Sequence, residues 1–165
     1  MGKSDRHDFA AAAVLVIVLT AVDQLTKWRA FRTLPGKPMV LVPGVLELRY
    51  LENHGAAFGI LQNRQWLFIA ATVLFLAGMF VFFLKVKAHP RLRMLLAVLA
   101  GGACGNLIDR IRFGFVRDFI YFKPIDFPVF NAADIFVTVS AALIILYILF
   151  FMNENDLTFS RKDGA

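Results

Sequence analysis

Four apolar segments, each near the length needed to cross the hydrocarbon of a bilayer, govern what this chain can fold into: residues 9–28, 66–84, 94–109 and 132–152. An α-helix rises about 1.5 Å per residue and the hydrocarbon is roughly 30 Å thick, so about 20 residues suffice. Within lipid a lone segment must satisfy its own backbone hydrogen bonds, which makes each of these a helix. The segment at 66–84 has no charge and is rich in Phe, as a lipid-facing helix is. The segment at 94–109 runs short of apolar residues before Asp109 arrives. Of the 165 residues, 59% are hydrophobic and only 18% are charged, well outside the composition of a soluble domain. The expected fold is an all-α membrane protein, a single integral domain over 1–165 with four transmembrane helices.

Lys3 and Arg6 ahead of the first apolar run imitate a secretory signal peptide, but Asp5 and Asp8 dilute the likeness. No small-residue cleavage site follows, so the run reads as a retained first span. Four spans put both termini on one side. The turn KVKAHPRLR carries Lys85, Lys87, Arg91 and Arg93 with no acid, which marks it as cytoplasmic and places both termini there. The net charge of +6 flanks apolar runs and forms no single stripe, so nucleic acid is set aside as a partner. The one cysteine, Cys104, lies in an apolar run and excludes a disulfide framework.

Two longer segments then fall on the outer face. In the first, VLELRYLE at 45–52 largely alternates apolar and polar residues behind the turn signal Pro43-Gly44. This predicts a small β-cradle on the membrane at about 35–60, after the first helix. Asn53, His54 and Gly55 lead into Ala56, Ala57, Phe58 and Gly59, small residues that let backbone approach closely. Trp28 and Trp66 bracket the region as belt aromatics do. The tail from Asn153 is mostly polar and reads as frayed.

The polar side chains gather between 101 and 134. Gly102, Asn106 and Asp109 share one helix face, and Gly101 with Gly105 forms a GxxxG, which on its own means helix packing. Asp109 beside Arg110 reads, on its own, as a helix-end ion pair. Asp23 and Lys27 are an i, i+4 pair, tolerable in low dielectric where a lone Asp is not; Lys27 is alternatively free to reach a lipid phosphate or a substrate carbonyl. Asn131 and Asp134 open the fourth span as an N-cap and a first-turn acid. Asp118 changes the balance, because the connector behind it, turned by Pro124 and Pro128, is long enough to bring it back to Asp134. Two carboxylates in contact do not both ionise, and that split is what an aspartic hydrolase uses to activate water. There is no nucleophile elbow, no Cys with a nearby His and no HExxH.

DQLTK at 23–27, NHGAAFG at 53–59, GGACGNLIDR at 101–110, VRDFI at 116–120 and FNAAD at 130–134 together resemble the lipoprotein signal peptidases, or signal peptidase II. Any one motif is weak, but five in the family's order over nearly the whole chain are specific. The resemblance implies a bacterial inner-membrane aspartic endopeptidase, without cofactor or metal. It would remove signal peptides from diacylglyceryl-modified prolipoproteins, just before the lipid-modified cysteine. It implies Asp118 and Asp134 as the catalytic dyad near the extracytoplasmic face. Asp23, Lys27, Asn53, Gly55, Asn106, Asp109, Arg110 and Asn131 would shape and support the site. Membrane lipids would be partners, and peptide inhibitors such as globomycin would bind the dyad. Arg117 and Ile135 depart from the family's usual wording beside the two acids. Two rival readings are a proton or ion conduit, which predicts carboxylates spread through the membrane's depth, whereas Asp23, Asp109, Asp118 and Asp134 fall at or beyond the outer ends of the spans, and a metal enzyme acting on isoprenoid diphosphates, which chelators abolish.

Overall fold

In the computed structural model, which describes residues 3–55, 64–153 and 156–159, the four apolar segments are four helices. They are α1 (Lys3–Thr33), α2 (Gln65–Lys85), α3 (Pro90–Phe113) and α4 (Ala132–Phe150), each long and apolar enough to cross a membrane. Strands β1 (Met39–Val42) and β2 (Leu46–Asn53) follow α1, and β3 (Val86–Ala88) follows α2. Next come β4 (Val116–Phe122), between α3 and α4, and β5 (Leu157–Phe159) after α4. Three helices are longer than the spans read from sequence, and α4 stops two residues short of its span. α1 continues to Thr33 and α3 to Phe113, so Asp23 and Asp109 lie inside helices and not at their ends.

α3 is the central helix, packed on α1 along one side and α4 along the other, with α2 resting chiefly on α3. Its glycines explain the fit. A Cβ at Gly101 would meet Leu19, and one at Gly105 would fall against the Asp23 carboxylate, so these two face α1. A Cβ at Gly102 would meet the Ala133 carbonyl and the side chains of Phe136 and Val137, so Gly102 faces α4. The GxxxG thus brings α1 close, and its neighbour brings α4 close. α3 ends at Gly114, whose φ of 77° is the left-handed conformation glycine adopts freely, and whose N–H closes on the Arg110 carbonyl.

β1, β2 and β4 form one antiparallel sheet in that order. The sheet is therefore built from both inter-helix segments: 39–53 supplies two strands and 116–122 the third. Residues 56–60, at the end of the cradle as read from sequence, lie outside the described residues. One side of the sheet packs on the end of α1 through Phe119 against Ala30 and Leu34, with Leu48, Tyr50 and Ile120 around them. Elsewhere Glu47 ties the sheet together, held by Arg49 and Lys123 at 2.5 and 3.1 Å, and those cations hold its carboxyl below the usual range.

Of the tail expected to fray, residues 153 and 156–159 are described, and these are hydrogen-bonded into the structure. β5 pairs with β3, and the Asp156 carboxylate accepts the Tyr147 hydroxyl at 2.8 Å and the Asn153 N–H at 3.1 Å, while the Asp156 carbonyl accepts the His89 N–H. Local hydrogen bonds around one aspartate, invisible as periodicity, order this segment.

Gly105→Ala is predicted to lower the melting temperature in detergent micelles, by the roughly 1–3 kcal/mol that overpacking costs, because its methyl displaces Asp23. Gly78→Ala, whose Cβ meets nothing within 4 Å, removes a glycine penalty of about 0.5–1 kcal/mol and leaves the melting temperature unchanged or higher. Equal losses in both variants contradict the close α1 contact.

Candidate active site

Asp118 sits on β4 because the chain there is paired on two sides. Across β2, Leu51 lies opposite Asp118 and Asn53 opposite Val116, with a bulge between Leu48 and Leu51. On its other side, Phe119 and Ile120 donate their N–H groups to the Phe130 carbonyl, and the Phe130 N–H returns to Ile120. That bridge folds the connector back, so that Asn131, next in the chain, arrives beside Asp118. The connector turns through a short 3-10 segment, Lys123–Ile125, and Asp126 with φ 49°.

Asn131 then starts α4. Its side-chain oxygen accepts the Asp134 N–H at 3.0 Å while the Asp134 carboxylate accepts the Asn131 N–H at 3.1 Å, a reciprocal cap. The same asparagine spends its amide nitrogen on Asp118, at 2.5 Å, and on Asn106, at 3.1 Å. Capping and site building are therefore one arrangement here. Asn53 donates to the second oxygen of Asp118 at 2.9 Å, and its own carbonyl is held by the Gly55 N–H at 3.0 Å, which sets the amide's direction. Asn106 donates to Asp134 at 2.7 Å. Each of the four oxygens of Asp118 and Asp134 thus accepts one N–H from a neutral group.

Beside this pair lies a buried ion cluster. Lys27 and Asp23 are fully buried and 2.8 Å apart, one turn from each other on α1. Lys27 also donates to the Asn106 carbonyl at 2.8 Å, so it reaches neither lipid nor a substrate carbonyl. The other Asp23 oxygen accepts the Ala133 N–H at 2.9 Å, a carboxylate from α1 set against the positive end of α4. Asp109, also fully buried, does not pair with its neighbour Arg110. It receives the Arg117 guanidinium on both oxygens, at 2.7 and 3.1 Å, together with the Arg117 N–H at 2.9 Å and the Gln24 amide at 3.0 Å. Two carboxylates and two cations close the cluster at zero net charge, which burial requires.

Asp118, 1% exposed, faces a cleft of about 480 Å³ that Asp134, Asn53, Asn106 and Arg110 also line. Past the carboxylates the cleft continues along α4 over Ile135, Thr138 and Val139 and against Phe127 and Phe130, an apolar wall below a polar end. Burial first, and the charge of Asp134 second, push the Asp118 carboxyl up to about 7, against the pull of the Asn53 and Asn131 amides and of Lys27. Arg110 leans over the Phe68 ring at 5.0 Å, and its buried Nε has no hydrogen-bond partner among the described residues. No group of three or more His, Cys, Asp or Glu is placed to hold a metal among those residues.

All ten residues singled out from the sequence lie in or against this site. Asn106 stands between α1 and α4, bonded to both, and Asp109 turns toward α1 and β4 although it shares a face with Asn106. Gln24 and Arg117 were not foreseen as members. Gln24 donates to Asp109 and to the Gly105 carbonyl and accepts from Arg117. The signal for both was present, since each is a polar residue flanking an acid in an otherwise apolar setting.

Residues 15–150 match the family model for signal peptidase (SPase) II. The chain is 44% identical over 140 residues to a lipoprotein signal peptidase of Symbiobacterium thermophilum, covering 82% of this chain and 92% of that one. It is 38% identical over 143 residues to one of Clostridioides difficile, covering 86% and 97%. A solved structure of a bacterial membrane enzyme superposes with a TM-score of 0.78 at 30% identity, over 90% of this chain and 95% of the other. Five motifs in register, four helices of spanning length and a shared architecture converge: the chain belongs to the signal peptidase II family of aspartic lipoprotein signal peptidases, and it is a multi-pass membrane enzyme.

Proposed function

We propose that Asp118 and Asp134 are a catalytic dyad that activates water to cut diacylglyceryl-modified prolipoproteins just before the lipid-modified cysteine. The observation that carries this reading is the set of four neutral N–H donors on the four carboxylate oxygens, with no cation bonded to either acid among the described residues. Donors of that kind orient both groups yet leave one free to keep a proton. Charge balance points the same way. The ion cluster beside the dyad is neutral, and Arg110 supplies one positive charge in the cleft, so a dyad with one negative charge closes the site at zero.

In the free enzyme the shared proton rests on Asp118, whose carboxyl ionises only at about 7, and Asp134 acts as the base. Asp134 takes a proton from water as its oxygen attacks the scissile carbonyl carbon. Asp118 donates its proton toward the carbonyl oxygen, which stabilises the tetrahedral intermediate. The C–N bond then breaks as the cysteine nitrogen is protonated, and no covalent intermediate forms. The apolar wall beyond the dyad fits the acyl chains and the signal-peptide segment arriving from lipid, and gives globomycin-like peptides a place to lie against the dyad.

The chain forms a single integral unit in a bacterial inner membrane, with the β1-β2-β4 cradle and the dyad at the extracytoplasmic side and both termini in the cytoplasm. Supporting this, the end of the bundle opposite the cradle carries Lys85, Arg91 and Arg93, and there Arg93 approaches Asp8 of α1 at 3.8 Å while β5 pairs with β3.

Asp118→Asn and Asp134→Asn are each predicted to lower turnover of a diacylglyceryl-modified prolipoprotein by at least ~10²–10⁴-fold with melting temperatures close to wild type, in a gel-shift assay unaffected by EDTA. Loss of wild-type cleavage in EDTA, or a variant that cuts at the normal rate, refutes the dyad. The profile of kcat/KM against pH is predicted to fall on its alkaline side from about pH 7, because the free enzyme loses the Asp118 proton there. A rate still rising between pH 7 and 9 in the free-enzyme profile contradicts that assignment.

A further inference from the structure

We propose that Arg117 is a positioning residue for the reaction, which by occupying Asp109 leaves Lys27 free to aim the Asn106 amide at Asp134. The proposal rests on the dyad reading given above. Lys27 has three N–H donors and three oxygens around it: Asp23 and Asn106, both at 2.8 Å, and Asp109 at 3.6 Å. The longer distance marks Asp109 as the oxygen it does not need. Asp109 is satisfied from the other side by the Arg117 fork, which reaches both oxygens, and by the Arg117 backbone N–H. The fork is itself set in place: its second nitrogen also donates to Gln24 at 3.0 Å, and the guanidinium lies 4.6 Å from the Phe113 ring centroid.

Without that fork Asp109 is a buried carboxylate lacking its main counter-charge, and Lys27 is the nearest other cation. A shift of the ammonium by less than an ångström trades the Asn106 carbonyl for Asp109. The Asn106 amide then loses the donor that fixes its orientation, and its N–H no longer points at Asp134. The site also gains one uncompensated negative charge. Arg117 is next to Asp118 in the chain, so the same contact fixes where β4 begins. A clamp that only held the strand would need no charge, and this difference separates the two roles.

The groups facing the dyad among the described residues are Lys27 from α1, Asn53 from β2, Asn106, Asp109 and Arg110 from α3, and Asn131 at the start of α4. Of these, Lys27 and Arg110 are positive, and Asp109, with Asp23 behind it, is negative, so removing the Arg117 charge shifts the dyad toward keeping its protons.

The test measures kcat, KM and the pH profile of prolipoprotein cleavage by the full chain in lipid nanodiscs, with Asp118→Asn as the dead control. Arg117→Met is expected to lower kcat about tenfold or more, with KM held within roughly twofold, and to move both limbs of the kcat profile to higher pH. Arg117→Lys, which keeps the charge but not the fork, is expected to lose severalfold in kcat with the limbs unmoved. The double variant Arg117→Met/Asp109→Asn, which buries no unpaired carboxylate, is expected to regain kcat over Arg117→Met and to restore the limbs. If Arg117→Met does not fold, Arg117→Lys and the double variant decide. Wild-type kcat in Arg117→Lys, or a double variant with displaced limbs or no better than the single, overturns the proposal. An Asp118→Asn variant that still cuts overturns the dyad instead.

Discussion

A lysine with no exposure at all, Lys27, ties the polar interior of this protein together. In a bundle surrounded by lipid its charge is tolerable only because Asp23 lies 2.8 Å away on the same helix and the Asn106 carbonyl accepts a second proton at the same distance. Breaking such a pair by removing one partner costs roughly 3–5 kcal/mol, because the other charge is left buried. Each partner then holds something else. Asp23 takes the Ala133 N–H in the first turn of α4, and Asn106 takes Asp134. The close passage of α1 over Gly105 brings that lysine to α3, so helix packing and site chemistry share one requirement.

From this follows a division of labour by depth. The lower layer is ionic and neutral overall, and every charge in it is paired. Among the described residues, the upper layer holds the two acids by amides alone. An amide N–H directs a carboxylate without forcing it to ionise, whereas a cation in contact would hold both acids charged. The same logic explains why asparagines recur at 53, 106 and 131, from three different parts of the chain. The cleft continues from the site along α4 over Ile135, Thr138 and Val139.

Much of this was legible in the sequence, for reasons that can be named. The four helices were visible because the bilayer demands uninterrupted apolar length. The site residues were visible because polar groups stand out against 59% hydrophobic composition, and because their five motifs resemble a known family. β4 was not, since VRDFIYF sits in a segment with two prolines close behind and gains its partners from β2 and Phe130, far away in sequence or across a turn. The ion pairing of Asp109 was read from adjacency to Arg110, but neighbours in a helix point about 100° apart. The partner that reaches Asp109 is Arg117, carried back by the turn at Gly114. The bonds around Asp156 and the pairing of residues 157–159 with β3 were not legible, because no local pattern reveals them.

The central claim is that the two acids share one proton in the resting enzyme. The most direct measurement is infrared difference spectroscopy of the purified protein across pH, following the C=O stretch of protonated carboxyl groups in wild type, Asp118→Asn and Asp134→Asn. The account predicts one protonated carboxyl band that persists at neutral pH, titrates away at about 7 and is missing in Asp118→Asn. A wild-type spectrum with no protonated carboxyl just below neutral pH, or a band that is unchanged in Asp118→Asn, contradicts it.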